Sequence, residues 1–194
     1  MRVALRWAAW AALGVALGWS VLTLWVQSEA SYQAEETGPA AGARALVVYH
    51  PSREAGFGDR VARAAAEALR DEGWRVSLET AGRETKVAEP YALIAVVSNT
   101  YNWAPDAPTV AMLQRAKWQG RKVVGLMCGA GSTERAARLL QEALAATGAE
   151  VLEVASFWSM RPNDEARMAE PNQQVAEDKA RELLRRHGRR VRDN

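Results

Sequence analysis

RALVVYHPSREAGFGDRVARAAAEAL, residues 44–69, holds an apolar strand (44–49), a glycine-containing turn (50–58) and the start of an amphipathic helix. In the helix, Val61, Ala65, Ala68 and Leu69 fall on one face and Gly73 provides a stop. A strand, turn and helix in this order can hold an anion. Gly56 and Gly58 let the backbone turn its amides inward, and the positive end of the helix lies just behind them.

The pattern repeats downstream. Strand-like runs occur at 44–49, 74–80, 91–97, 121–127 and 150–156, separated by helical patterns at 59–72, 106–118, 132–147 and 171–187. The runs at 44–49, 91–97 and 121–127 are almost continuously apolar, as expected of central parallel strands covered on both faces. Residues 74–80 alternate instead, through Trp74, Val76 and Leu78, which predicts an edge strand. Ser132 is the expected N-cap of the helix that follows it. Five strands alternating with helices predict a doubly wound α/β sheet with right-handed crossovers. Ligands of such sheets sit at the carboxyl ends of the strands near the switch in strand order. That rule selects the loops 50–58, 98–105 and 128–131.

At the amino terminus, residues 7–26 read WAAWAALGVALGWSVLTLWV, and no charge occurs between Arg6 and Glu29. Twenty helical residues rise about 30 Å, the thickness of a bilayer's hydrocarbon core. Four of the eight tryptophans lie in this run, with Trp7 and Trp25 near its ends, where indole rings favour the interface. The reading is a single-pass anchor over residues 1–26, in contact with membrane lipid through 7–26. Arg2 and Arg6 precede the span and Glu29, Glu35 and Glu36 follow it, which places the domain outside the cytoplasm; a cytoplasmic domain is the alternative. A signal peptide cleaved after Ala30 is the competing reading of the segment. Gly14 and Gly18 form a GxxxG pair, a weak signal for a dimer. Residues 27–43 lack apolar periodicity and read as a flexible linker, 44–187 as the domain and 188–194 as a basic tail. The last ten residues hold five arginines, as suits a solvated helix end.

The 194 residues carry 25 Lys+Arg against 23 Asp+Glu, a balance too even to point to nucleic acid. The single cysteine, Cys128, excludes an intramolecular disulfide. His50 and His187 stand alone, without metal-ligand spacing. No Ser-His-Asp order and no paired carboxylates at a strand end point to hydrolysis.

Four stretches together resemble the flavodoxin family. VVYHPSREAGFGDRVA (47–62) resembles its first strand and phosphate loop, and YALIAVVSNTYNWAPDAP (91–108) its third strand and following loop. QGRKVVGLMCGAG (119–131) resembles the next strand with its glycine-rich loop, and GAEVLEVASFWSMRPND (148–164) the fifth strand and its exit. The resemblance spans residues 44 to about 187. It implies a five-stranded parallel sheet of order 2-1-3-4-5, FMN as cofactor and electron transfer as activity. The cofactor-contacting residues it implies are Ser52, Arg53, Gly56, Phe57 and Gly58 in the first loop. Thr100, Tyr101, Asn102 and Trp103 follow in the second, and Cys128, Gly129, Ala130 and Gly131 in the third. Tyr101 and Trp103 are the candidates for stacking on a flavin ring. Thr100 and Asn102 are candidates for hydrogen bonds to the ring or ribityl chain.

The first loop departs from the family's Ser/Thr-x-Thr-Gly-Asn-Thr. Anchored on Gly56, it has Ala55 for a hydroxyl, Phe57 for Asn, Gly58 for Thr and Arg53 where the first hydroxyl belongs. At about 1 kcal/mol for each lost neutral hydrogen bond, the departures predict weakened phosphate binding. Asp59 at the helix start suits the dipole but repels a phosphate. Cys128 also reads as a small buried hydrophobe and Trp158 as a core residue. The leading function is a membrane-tethered FMN electron carrier whose redox partner is a protein or a quinone. An NAD(P)H-dependent flavin or quinone oxidoreductase on the same fold, or a flavin-free binding module, are the alternatives.

Overall fold

The computed structural model describes residues 2–51 and 56–193. Helix α1 (Arg2–Val26) leads into a short strand β1 (Ala34–Thr37). The domain proper runs β2 (Arg44–Tyr49), α2 (Phe57–Asp71), β3 (Arg75–Thr80), β4 (Leu93–Tyr101), β5 (Ala104–Pro105) and α3 (Ala107–Arg115). It closes with β6 (Lys122–Gly129), α4 (Glu134–Ala146), β7 (Glu150–Trp158), a 3₁₀ turn (Glu165–Arg167) and α5 (Asn172–Arg192).

The sheet order is β1-β3-β2-β4-β6-β7, with β5 paired to β4. Five strands, β3-β2-β4-β6-β7, are mutually parallel, in the 2-1-3-4-5 order expected. Continuous apolar runs specify them: Leu46, Val47 and Val48 of β2 and Leu93 to Val96 of β4 are sealed on both faces. One face is covered by α2 and α5, whose Val61, Ala65, Leu69, Ala180 and Leu184 pack with Val47, Ala95 and Trp74. The other is covered by α3, α4 and the helix-free connection 81–92. There Met112, Leu140 and Leu144 join Leu46, Val48, Ile94 and Trp118. The fully buried Trp118 donates its indole N–H to the Val87 carbonyl at 2.8 Å and so holds that connection against the sheet.

The structure corrects three expectations. First, β3 is not an edge strand. β1 pairs with it antiparallel, Ala34 to Glu79 through Thr37 to Val76. Its alternation marks two covered faces: Ser77 and Glu79 are buried, and the Glu79 carboxylate accepts from the Ser77 hydroxyl (2.8 Å), the Lys86 amide (3.0 Å) and the Tyr91 hydroxyl (3.3 Å). Second, the stretch read as a flexible linker contains β1. The backbone of Gln33 exchanges bonds with Thr80, and Glu36 pairs with Arg75 at 2.6 Å. Third, the basic tail continues α5 to Arg192. Gly188 lies against Leu69 and Trp74, where a Cβ would approach within 2.9 and 3.1 Å. Arg189 binds both carboxylate oxygens of Glu72 at 2.7 and 2.8 Å, holding that carboxyl below its usual range, and Arg192 reaches the Glu72 carbonyl. The terminal arginines therefore tie α5 to the end of α2. The cap of α4 also moves by one residue: Thr133, not Ser132, precedes the helix.

Truncating the side chain that holds the helix-free connection is expected to be costly. Trp118→Ala should lower unfolding stability by about 3–5 kcal/mol, read from urea titration of the intact protein in detergent.

Candidate functional site at the carboxyl edge of the sheet

Strand order reverses between β2 and β4, and the loops after β2, β4 and β6 meet at the carboxyl end of this switch. Ser98 to Asn99 continue β4 beyond the predicted strand end. Asn99 donates its side-chain amide to the His50 carbonyl at 2.7 Å, tying the end of β2 to β4. Gly58, in the first turn of α2, packs onto the same amide: a Cβ there would stand 2.7 Å from Asn99 Oδ1. The first loop is thus held down on β4. Gly56 takes φ 67°, a left-handed conformation that glycine adopts freely, and as the N-cap residue it has no side chain to bond the amides of the first turn. Asp59 occupies that turn. Ser52 and Arg53 lie outside the described residues.

Beneath these loops Asp106 is fully buried. One oxygen accepts from the Thr109 amide (2.9 Å), capping α3, and the other from the Ser98 hydroxyl (2.7 Å) and the Asn99 amide (2.8 Å). His50, also fully buried, places Nδ1 3.6 Å from the Asp106 carboxylate. Its Nε2 lies 3.1 Å from the Ser28 carbonyl, which can only accept, so Nε2 carries the proton in that contact. The chain leaving α1 is thereby fastened to the switch point. It also borders a groove of about 320 Å³ between Gln27 and Glu29 on one side and Pro108, Met112 and Arg115 of α3 on the other.

The second loop is a two-residue hairpin. Thr100 and Tyr101 belong to β4 and pair with Pro105 and Ala104, leaving Asn102 and Trp103 at the tip. Both tip residues have positive φ, 51° and 58°, as a type I′ turn demands. Asparagine tolerates this; a tryptophan is a steric outlier there. Its indole projects to solvent, 59% exposed. The Asn102 amide stands 3.5 Å from the Thr23 hydroxyl of α1. The Thr100 hydroxyl is buried beside Gly129 and has no hydrogen-bond partner among the described residues.

In the third loop, a Cβ at Gly129 would come within 2.7 Å of Thr133 and 3.1 Å of Thr100, so only glycine lets β6 close against β4 here. The carbonyls of Gly129 and Ala130 accept from the amides of Ser159 and Met160 (2.9 and 3.0 Å). Arg161 donates to the Gly131 carbonyl (3.2 Å) and lies over the Trp158 ring at 4.8 Å. Trp158 is half-buried, with its indole N–H on Thr133. The exit from β7 thus covers one side of this loop. Cys128 points into the core, and burial pushes its thiol well above the usual range.

Of the residues named from sequence, the structure brings Gly58, Thr100 and Gly129 together around the end of β4. Gly56 lies at the adjoining helix start, and Tyr101, Asn102 and Trp103 share the hairpin. The Cys128 thiol is turned away. Sequence reading did not pick out His50, Asn99, Asp106 or Arg161. Asp106 carried a usable signal, a capping residue two places before Pro108.

No family model matches the sequence, and no curated protein is significantly similar to it. Solved structures do match. A flavodoxin from the domain Archaea aligns with TM-score 0.56 at 19% identity, over 77% of this chain and 99% of that one. A flavodoxin, WrbA-like protein from Agrobacterium tumefaciens gives 0.56 at 17%, over 78% and 98%. The flavodiiron protein from Giardia intestinalis gives 0.62 at 19%; 76% of this chain is covered but only 36% of that one. The chain has the flavodoxin-like fold.

Two side chains can be checked directly. Trp103→Gly should leave the protein as stable or more stable by about 0.5–1 kcal/mol, because relief of the left-handed strain outweighs the added freedom of the unfolded chain. The urea midpoint at unchanged slope reads this. Cys128 should resist thiol reagents at neutral pH in the native state and react once denaturant is added, measured by the absorbance of the released aromatic thiol.

Proposed function

We propose that this protein is a membrane-tethered flavodoxin-like electron carrier that holds FMN at the carboxyl edge of its sheet. The observation that carries this reading is the buried Thr100 hydroxyl at the end of β4, which lies against Gly129 and has no hydrogen-bond partner among the described residues. A buried polar atom left unpaired costs about 1–3 kcal/mol, and a ligand that bonds it recovers that cost. The fold shared with a flavodoxin and a flavodiiron protein agrees with a flavin here.

Bound flavin supplies one- and two-electron chemistry, and the protein supplies position and electrostatics. The amides at the start of α2, which Gly56 does not cap, form the helix end at which a phosphate would be held. Thr100 offers a hydroxyl to the ring or ribityl chain. Tyr101 provides an aromatic face for stacking. Asp59 acts against the phosphate. That charge, with the hydroxyl-poor sequence from Ala55 to Gly58, favours a second reading, a binding module without flavin.

Helix α1 is long and apolar enough to cross a membrane, and none of its apolar stretch Ala9–Val26 is buried in the fold. Arg2 and Arg6 before it, with the acidic residues after it, favour a domain outside the cytoplasm.

Titration of the detergent-solubilised full chain with FMN, followed by visible absorption, tests the reading. A saturable complex with shifted bands is expected, and its absence at high FMN leaves the flavin-free module. Reduction of the complex by NADPH at catalytic rates would replace the carrier with an oxidoreductase. Thr100→Val should weaken FMN binding about fivefold, the equivalent of one hydrogen bond of about 1 kcal/mol, without loss of stability.

A further inference from the structure

We infer that the Asn102–Trp103 turn is a second membrane contact, in which the Trp103 indole seats in the lipid interface beside α1 and holds the carboxyl edge of the sheet against the bilayer. This rests on the tethering part of the proposed function, the crossing of a membrane by α1.

Three observations converge on it. The first is level. Asn102 stands 3.5 Å from Thr23, three residues before the end of α1 at Val26. At 1.5 Å per residue the turn therefore meets the helix about 4.5 Å inside its end. Trp25, 54% exposed, belongs to the same helical turn. If Trp25 is at the interface, the tip at 102–103 is there as well, and tryptophan is the side chain that this zone favours.

The second is the distribution of exposed apolar side chains. Apart from those of α1, the large exposed hydrophobics among the described residues are Trp103, Met160 (82%) and Met168 (70%). Met160 follows the carboxyl end of β7, and Met168 precedes the start of α5, which leaves from the same edge. All three therefore lie on the edge that α1 reaches. Arg161 and Arg167 adjoin the two methionines in sequence, with their charges met by Glu134 and by Glu170 and Asp178.

The third is strain. A tryptophan with φ 58° at a hairpin tip loses stability relative to glycine and gains no burial in return. Strain retained on an exposed aromatic is accounted for if the ring is buried elsewhere, and a bilayer interface does so without changing the fold. The occupant is lipid, since the anchor ending beside Trp103 brings a bilayer to this edge.

The test uses the full chain reconstituted in phosphatidylcholine vesicles, with a small environment-sensitive fluorophore on one introduced cysteine at a time. The native Cys128 is buried and does not compete. The variants are Trp103→Cys on the turn, Leu13→Cys within α1, and Lys117→Cys, which precedes β6 on the opposite edge. Nitroxides at the headgroup or deep in the acyl chains act as quenchers. A blue-shifted label at 103 that loses most of its emission to shallow nitroxides, with the label at 117 unaffected, is the expected result. A water-exposed label at 103 with deep quenching at 13 overturns the inference and leaves the tether intact. An unquenched label at 13 overturns the tether, and the inference with it. Equal quenching at 103 and 117 also overturns the inference, since the domain would then lie on the membrane without preference for this edge.

Discussion

Asp106 is the group on which the geometry of this edge depends. A buried carboxylate is tolerable only when its oxygens are filled, and here two backbone amides and a hydroxyl fill them. The three bonds join elements that sequence alone keeps apart. The Thr109 amide starts α3, and the Ser98 and Asn99 bonds bring the returning chain back onto β4. That return is what closes the hairpin with Trp103 at its tip. Through Asn99 the constraint passes to the His50 carbonyl and to Gly58, and through the His50 ring to Ser28 at the end of α1. The carboxylate also sits where the α3 dipole is positive, so the helix contributes to holding its charge. A change at Asp106 therefore reaches the end of β2, the start of α2, the hairpin and the exit from α1 together.

How well the sequence could be read follows from which elements are specified by apolar side chains. β2, β4 and β6 are central strands sealed on both faces, so they appear as unbroken runs of Val, Leu, Ile, Ala and Met. Crossover handedness implies only that the sheet is doubly wound; the order 2-1-3-4-5 is what the resemblance to the flavodoxin family implies. β1 is specified otherwise. Ala-Glu-Glu-Thr has no inward face, and its role is to satisfy the backbone of β3 while glutamates at 35 and 36 meet Arg63 and Arg75. No periodicity announces such a strand. β3 misled in the opposite way: its polar positions look solvent-facing but are buried, because Glu79 is supplied with three donors from the connection and the strand itself. At the other end, the helical pattern read from sequence stops at 187, yet the missing Cβ of Gly188 is what lets α5 approach Trp74 and Leu69.

The candidate site divides along the same line. Its position was legible, since the switch in strand order and the glycines of the first and third loops are sequence features. The residues that shape it were not. His50 and Asn99 act through a backbone carbonyl and a side-chain amide, contacts that depend on two strand ends meeting in space. Cys128 was named for its place in the chain, but a strand's side chains alternate, and its neighbour Gly129 turns toward the site while the thiol enters the core. Arg161 comes from beyond β7 and reaches the third loop only because the amides of Ser159 and Met160 clip the exit onto Gly129 and Ala130.

The Asp106 carboxylate is filled by two amides and a hydroxyl. Beside it, His50 Nδ1 and the Thr109 hydroxyl are among several buried polar atoms without a hydrogen-bond partner among the described residues, and the Thr100 hydroxyl, a few residues away on β4, is another. Next to it the hairpin holds a tryptophan in a conformation suited to glycine. Each feature alone lowers stability, and neither is compensated within the chain. Their separation is also informative. Thr100 lies at the base of the hairpin against Gly129 of β6, whereas Trp103 stands at the tip beside α1. One interior contact and one outward contact, joined by two residues of the hairpin, couple whatever bonds the Thr100 hydroxyl to whatever the tip touches. A ligand bound at Thr100 and a surface met by Trp103 would thus share one short element, and ordering either would order the other.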